Sequence, residues 1–384
     1  VVGAWLESSR STVLNANGQD NSSRWSGAAY VFVRDSAPPF AWRQQAYLKA
    51  SNTEPNDYFG SQVAVSGDVV VVGAYGEDSD ATGVNGNPAS NRKSRAGAAY
   101  VYERNAGVWS RTAYLKASNP DANDDFGGYV AISGDTIAVG AQGECCKLGG
   151  VNASPGTDNG ALFAGAAYVF VRVAGAWVQQ AYVKPAYPDG FDYFGGPLSI
   201  SGDTLVVAAY GEDSGATGVN GNQRDNTVSS SGAAFVFVRN WTPSGIVWTQ
   251  EAYLKASNPE KDDKFGRGVG VSGDKIIVAA HEEDGGDPGI NGDESSNSAA
   301  DSGAAYLYWR TGTSWAQVAY LKASNVDGND NFGRSVAISG TTSIVGAPAE
   351  ASRARGIDGD GSNNTAGYAG AVYTYREPCD ALAT

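Results

Sequence analysis

Oxygen-bearing side chains recur through this sequence at offsets that would suit a hard cation. A Glu stands four residues after the first small residue of a Gly-Ala or Ala-Ala pair, at Glu7, Glu77, Glu144, Glu212, Glu283 and Glu350. Eight residues later come Asn15, Asn85, Asn152, Asn220, Asn291 and Asp358. Two further on stand Asn17, Asn87, Ser154, Asn222, Asp293 and Asp360, and four beyond those Asn21, Asn91, Asp158, Asn226, Asn297 and Asn364. Calcium takes six to eight oxygen ligands, and a set with so few carboxylates would bind it weakly, roughly 10⁻⁴ to 10⁻³ M. The segment from Gly356 to Asn364 is the richest in carboxylates, and the third copy, interrupted by Cys145, Ala153 and Ser154, is the poorest. The same residue types have a second use. Asn and Asp hydrogen-bond their own backbone and can hold a Gly-rich loop in one shape without any ion.

Catalysis finds little support. His281 is the only His, and its counterparts in the repeat are Trp5, Tyr75, Gln142, Tyr210 and Pro348, so it reads as a variant surface residue. Acidic pairs such as Glu77-Asp78, Glu212-Asp213 and Glu283-Asp284 repeat with the rest of the pattern, which suits structure better than one general acid and one base. Cys145, Cys146 and Cys379 offer no C-x-x-C and no Cys/His cluster, so zinc is not expected; a bridge between the adjacent pair would be strained. The expectation is a protein that is not an enzyme.

The elements that must position these oxygens repeat as well. Phe59, Phe126, Phe194, Phe265 and Phe332, each followed by Gly, lie 67, 68, 71 and 67 residues apart, with an Asp two residues before each. A fixed period of this kind marks a repeat architecture. Each unit carries four strand-like runs. Run a follows Phe-Gly and ends in a Ser-Gly-Asp turn, as at Ser66-Gly67-Asp68. Run b, such as Val69 to Ala74, is apolar throughout, so both of its faces should be buried. A loop of about twenty residues, which holds the oxygens, leads to run c, such as Gly97 to Arg104. The aromatics of run c (Tyr30, Tyr100, Tyr168, Phe235, Tyr306, Tyr373) are expected in the core. Run d has Trp five residues before Tyr in every copy, then Lys49, Lys116, Lys184, Lys255 or Lys322; these lysines read as guards of an outer edge.

Four antiparallel strands per unit, repeated, predict an all-β fold: a β-propeller of four-stranded antiparallel blades. Runs b and c occur six times, which predicts six blades, or seven if the chain is a fragment. The units start near residues 1, 57, 124, 192, 263 and 330 and read as a single domain over 1–384. The sequence contains no Met, so the chain is expected to be processed or a piece of something longer. A net charge of −14 argues against nucleic acid as a partner, and no apolar run is long enough to predict membrane insertion.

The repeated Phe59-Gly60, Val72-Gly73-Ala74 and Gly97-to-Tyr102 resemble the FG-GAP repeat of integrin α-subunit propellers and their secreted bacterial relatives. Phe332-Gly333, Gly346-Ala347-Pro348 and Gly370-Ala371-Val372-Tyr373 repeat the match, and the resemblance extends over essentially the whole chain. That family commonly places an Asp-x-Asp-x-Asp-Gly calcium loop between runs a and b; here Ser-Gly-Asp stands there, and those ligands are not carried over. The resemblance implies a secreted or cell-surface module that binds a protein or glycan on the face formed by the long b–c and d–a loops. Adhesion is the first expectation. A lectin-like propeller and a self-associating subunit of an extracellular assembly are the alternatives.

Overall fold

The computed structural model describes residues 1–16, 18–152, 158–243 and 245–376. Every regular element among them is a strand. The fold is an all-β propeller of six antiparallel blades, four with four strands and two with three. The chain divides into two compact units, Val1–Gly190 with Phe194–Gly196, and Phe191–Tyr193 with Pro197–Thr384.

In the first unit, blade 1 is β1 (Val2–Ala4), β2 (Ala28–Arg34) and β3 (Trp42–Leu48). Blade 2 is β4 (Val63–Ser66), β5 (Val69–Ala74), β6 (Ala98–Asn105) and β7 (Val108–Leu115). Blade 3 is β8 (Tyr129–Ser133), β9 (Thr136–Ala141), β10 (Ala166–Val173) and β11 (Ala176–Val183). In the second unit, blade 4 runs from β12 (Leu198–Ser201) through β13 (Thr204–Ala209) and β14 (Ala233–Thr242) to β15 (Gly245–Leu254). Blade 5 comprises β16 (Gly268–Ser272), β17 (Lys275–Ala280), β18 (Ala304–Thr311) and β19 (Ser314–Leu321). Among the described residues, blade 6 has β20 (Ser335–Ser339), β21 (Thr342–Ala347) and β22 (Ala371–Arg376).

Runs a to d are therefore the four strands in spatial order. Run b is buried on both faces as its composition requires: Val70, Val71 and Val72 are fully buried. Within each unit the core lies between successive blades. Ala29 and Val31 of blade 1 pack with Phe59, Val70, Val72, Tyr100 and Tyr102 of blade 2.

A separation of five residues would place the Trp and Tyr of run d on opposite faces of a regular strand. In blades 2 to 5 both are nevertheless buried, Trp109 with Tyr114 in one cluster and Trp315 with Tyr320 in another, whereas Trp42 of blade 1 is exposed. A one-residue bulge restores the face. Val101 pairs with Ala113 while Tyr102 pairs with Arg111, which leaves Thr112 extra. The same shift occurs in blades 1, 3, 4 and 5.

Candidate functional site

The lysines of run d are not at the surface. Lys49, Lys116, Lys184, Lys255 and Lys322 are each at most 1% exposed, and each ends on the Glu of its own blade's b–c loop. The Nζ–Oε distances are 3.0 Å to Glu7, 2.8 Å to Glu77, 2.6 Å to Glu144, 2.9 Å to Glu212 and 2.7 Å to Glu283. The edge-guarding role expected for these lysines is therefore replaced by a buried ion pair in every blade that has run d. Burial pulls the ammonium pKa of Lys116 down, and the neighbouring Glu77 carboxylate opposes that pull.

The blade 2 pair sits in a filled hydrogen-bond network. Glu77 also accepts hydrogen bonds from the Tyr114 hydroxyl (2.8 Å), the Ser79 N–H (3.1 Å) and the Asn52 amide (2.9 Å). The Tyr100 hydroxyl donates to Asn52 Oδ1 at 2.6 Å, and the Tyr102 hydroxyl to the Lys49 carbonyl at 2.7 Å. Glu212 and Glu283 gather Tyr253 and Tyr320 in the same way. A buried charge is tolerated when it is paired and its remaining lone pairs are filled, as here.

Many of the other loop positions predicted to carry oxygens also have partners. Asn85 adopts a left-handed backbone (φ 57°) and its Oδ1 accepts the Tyr114 N–H at 2.9 Å. Asn220 and Asn291 do the same with Tyr253 and Tyr320, so this Asn ties the loop to strand d. Asn87, Asn222, Asp293 and Asp360 each accept the N–H two residues on, closing a tight turn. Asn91, Asn297 and Asn364 donate to Glu54, Glu260 and Asp327 on the d–a connection. Asn226 also has an interaction in the structure. Asn17 and Ser154 lie outside the described residues. Among the described residues, no three His, Cys, Asp or Glu side chains form a group that could hold a metal. The sixth loop differs from the rest. Blade 6 has no described strand d, and Glu350, 2% exposed, takes Asn325 and Ser352 where the other blades add Lys. Asp358 keeps the left-handed backbone of its position (φ 54°).

A second carboxylate is buried beside each pair, one that sequence reasoning noticed only as a spacing. Asp57, Asp124, Asp192, Asp263 and Asp330 are 2–4% exposed. Asp57 Oδ2 accepts the Glu54 N–H at 2.8 Å. Burial pushes Asp57 and Asp124 up to about 8, Asp263 to about 7 and Asp330 to about 6, with the nearby Glu of the blade adding to the rise. An unfolded Asp titrates near about 3.9, so between that value and the folded one the native chain holds protons that the unfolded chain has released. The stabilisation from these groups is complete below about pH 4 and is lost as pH rises towards 8. We expect the melting temperature to be lower at pH 8.5 than at pH 5.5, and the slope to flatten in the Asp57→Asn/Asp124→Asn double variant. A melting temperature that rises across that interval would contradict the assignment.

One set of positions varies from blade to blade although its backbone does not. The residue before each Phe-Gly is left-handed: Tyr58, Asp125, Tyr193, Lys264 and Asn331 have φ of 54–57°. So is the residue two before the Gly of run c: Trp25, Arg95, Phe163, Ser230, Asp301 and Tyr368. The Tyr58 N–H donates to the Trp25 carbonyl at 3.1 Å, which brings the b–c loop of one blade against the d–a connection to the next. In the first unit this assembles an aromatic group. Tyr58 stacks on Tyr75 (4.9 Å between ring centroids, 13° between planes), and Trp25 and Trp5 lie 6.2 and 5.7 Å from Tyr58. Arg24 covers Trp25 at 3.7 Å. Trp5 is 45% exposed. Charge stands at the same positions in other blades: Arg95 pairs with Asp125 at 2.8 Å in the first unit, and the second unit has Lys264. Lys264 pairs with Glu282 at 2.6 Å, and Arg267 lies over Tyr210 at 4.7 Å.

His281 belongs to this second group and corrects the surface reading: it is 7% exposed, with Nε2 3.2 Å from Glu282. Burial, then Arg334, Arg267 and Lys264, push its pKa down to about 3, so it is neutral at pH 7. Cys145 and Cys146 are both free thiols, and Cys379 lies outside the described residues.

The profile of the FG-GAP repeat matches the chain five times, over residues 42–102, 109–170, 177–237, 248–308 and 315–375. The chain belongs to the FG-GAP repeat family. Each FG-GAP match runs from the Trp of strand d in one blade to the second aromatic of strand c in the next, Trp42 to Tyr102 in the first. The family unit therefore spans the junction between blades and includes the buried Lys, Asp, Phe-Gly and Glu together. No curated protein matches the chain. Among the described residues, no helix is long and apolar enough to cross a membrane.

Proposed function

We propose that this FG-GAP chain is a non-catalytic extracellular binding module that takes its ligand on the end of the blades built by the b–c and d–a loops. One observation carries the reading. The buried frame of Lys, Glu and Phe-Gly is the same in blade after blade, whereas the left-handed positions on top of it hold Tyr, Asp, Lys or Asn, and Trp, Arg, Phe, Ser, Asp or Tyr. A position that served only the fold would repeat like the frame. Side chains placed on a rigid scaffold and varied independently of it are how binding sites are commonly built. Holding a non-Gly residue left-handed has an energetic cost, and such strain concentrates at functional sites.

A protein ligand, as in adhesion, is the first reading. The stack of Trp5, Trp25, Tyr58 and Tyr75 also supports a glycan, because a sugar ring presents an apolar face that packs on aromatic rings. The test screens the intact chain on glycan and extracellular-protein arrays, then repeats any hit with Trp25→Ser and Tyr58→Asn. Both replacements are residues that other blades carry at these positions, Ser230 and Asn331. We expect the hit to weaken about tenfold or more with little change in melting temperature, as for an aromatic hot spot. A hit that both variants retain removes this face from the proposal.

Calcium enters the proposal at the sixth loop, where Glu350 has no lysine partner among the described residues and Asp358 and Asp360 stand in the same loop. Millimolar calcium should raise the melting temperature and EDTA should reverse the rise, and Glu350→Gln should abolish both. No response to either reagent would eliminate the ion.

A further inference from the structure

Most of the b–c loops close on themselves at the same two places. Thirteen and fifteen residues after the Glu stand Asp225 and Thr227 in blade 4, Ser296 and Ser298 in blade 5, and Asn363 and Thr365 in blade 6. The members of each pair bond one another: Thr227 donates to Asp225 at 3.1 Å, Ser296 and Ser298 share a bond of 3.1 Å, and Thr365 donates to Asn363 at 2.6 Å. In blade 1 Asp20 accepts the Ser22 N–H at 3.0 Å. The space inside these loops is taken up as well. Asp225 also accepts the Gly215 N–H at 2.9 Å. A Cβ on Gly215 would lie 2.9 Å from Thr227 Oγ1, and one on Gly286, its counterpart in blade 5, would lie 1.9 Å from Ser298 Oγ.

The loop of blade 2 breaks this rule within residues 80–92. Its two positions hold Ser90 and Arg92, and Asp80 stands where blades 4 and 5 have Gly215 and Gly286. The Arg92 side chain is 82% exposed and lies 3.8 Å from the Asp80 carboxylate. That separation is too long for a hydrogen bond, so charge keeps the two groups near each other while the guanidinium keeps its donors. Asn87 spends only its Oδ1, on the Ala89 N–H at 3.1 Å, which leaves its side-chain N–H groups for another acceptor. A cavity of about 440 Å³ opens among these groups, lined by Asp80, Thr82, Asn87, Ser90 and Arg92 with small residues beside them. That volume falls in the range of pockets that take small molecules.

We propose that the blade 2 loop is a subsite for one neutral sugar residue, held by adjacent ring hydroxyls. The signs of charge select the class. An anionic ligand would meet Asp80, and an ammonium would meet Arg92. A hydroxyl both donates and accepts. One sugar hydroxyl can therefore donate to the Asp80 carboxylate while its neighbour accepts from Arg92 or Asn87. Hydrogen bonds to ionised partners are the stronger kind, which suits a site with no aromatic ring among its lining residues. The subsite stands apart from the aromatic group around Tyr58, and either can fail without the other.

The test applies saturation-transfer NMR to the intact chain with methyl glycosides of neutral hexoses and pentoses, and with hexuronates and glucosamine as charged controls. Binding of a neutral glycoside at roughly millimolar affinity is expected for so small a ligand. Asp80→Ala and Arg92→Ala should each weaken it about tenfold or more, the loss expected for hydrogen bonds to charged groups. The triple variant Asp80→Gly, Ser90→Asp, Arg92→Thr gives blade 2 the residues with which blade 4 closes its loop. It should abolish binding and leave the melting temperature unchanged. Trp25→Ser should leave binding as it is. Four results would each overturn the proposal: no neutral glycoside of the panel binds, a charged control binds as well as the best neutral one, the triple variant binds like the parent, or Trp25→Ser abolishes binding. The last would assign the sugar to the aromatic group instead.

Discussion

Replacing Lys116 with Ala is expected to destabilise the protein by about 3–5 kcal/mol, the loss found when one partner of a buried ion pair is removed. The Lys116 side chain is fully enclosed, and Glu77 is 1% exposed. Without the ammonium, Glu77 keeps only its three neutral donors, the Tyr114 hydroxyl, the Ser79 N–H and the Asn52 amide. A carboxylate in that position must either remain charged without a counter-ion or take up a proton. The destabilisation should therefore shrink as pH falls through the carboxylate range. Replacing both partners with apolar residues of similar volume, Lys116→Met with Glu77→Leu, should recover much of the loss. Chemical denaturation of the two single variants and the double variant measures the coupling. A loss below about 1 kcal/mol for Lys116→Ala would put the pair in the class of surface salt bridges and contradict its burial.

Truncating Phe126 to Ala should cost about 3–5 kcal/mol, as for other large-to-small changes at fully buried aromatics. The ring meets Tyr168 at 5.3 Å and Phe170 at 6.2 Å, both edge-on, and it joins blade 2 to blade 3. The Gly after it should be less tolerant still. Gly127 has φ +88°, and a Cβ there would lie 2.1 Å from the backbone oxygen of Ala98, which cannot move without breaking the strand. Gly134 provides the comparison. It too is left-handed (φ +54°), yet a Cβ on it meets nothing within 4 Å. Gly134→Ala should cost only the backbone strain, about 1–2 kcal/mol, while Gly127→Ala should fail to give folded protein. Equal melting temperatures for the two variants would refute the close approach as the reason for that Gly.

The architecture was legible in the sequence because it repeats. A period near 67 residues, Ser-Gly-Asp turns and apolar b strands define blades without any need to weigh single residues. The lysines of strand d were misread because charge alone says surface. Their partners lie about forty residues earlier in the chain, as Glu77 does from Lys116, and no local pattern links the two. A signal was present all the same: the position is Lys in all five copies and never Arg, and Lys-Ala-Ser-Asn follows four times. A surface guard would tolerate exchange; a seat for one ammonium beside Glu, Tyr and Ser does not. The offsets of the b–c oxygens form a rule in the sequence, but spacing gives no partner. The structure supplies backbone N–H groups for Asn85, Asn87 and their equivalents. His281 was misjudged because its counterparts vary, and variation suggested exposure; its companions Tyr75 and Tyr210 are large and half-buried, which was the better clue to a partly enclosed position.

Because each Phe-Gly enters the sheet made just before it, every junction presents the same plug to the same socket, always in one direction along the polypeptide. Gene segments cut at the Trp of strand d can then be duplicated, lost or exchanged without redesigning a boundary, since the incoming copy finds a fit wherever it lands. The residues displayed beside the plug travel with it. Recombination in such a chain would vary these outer side chains while leaving the joinery alone.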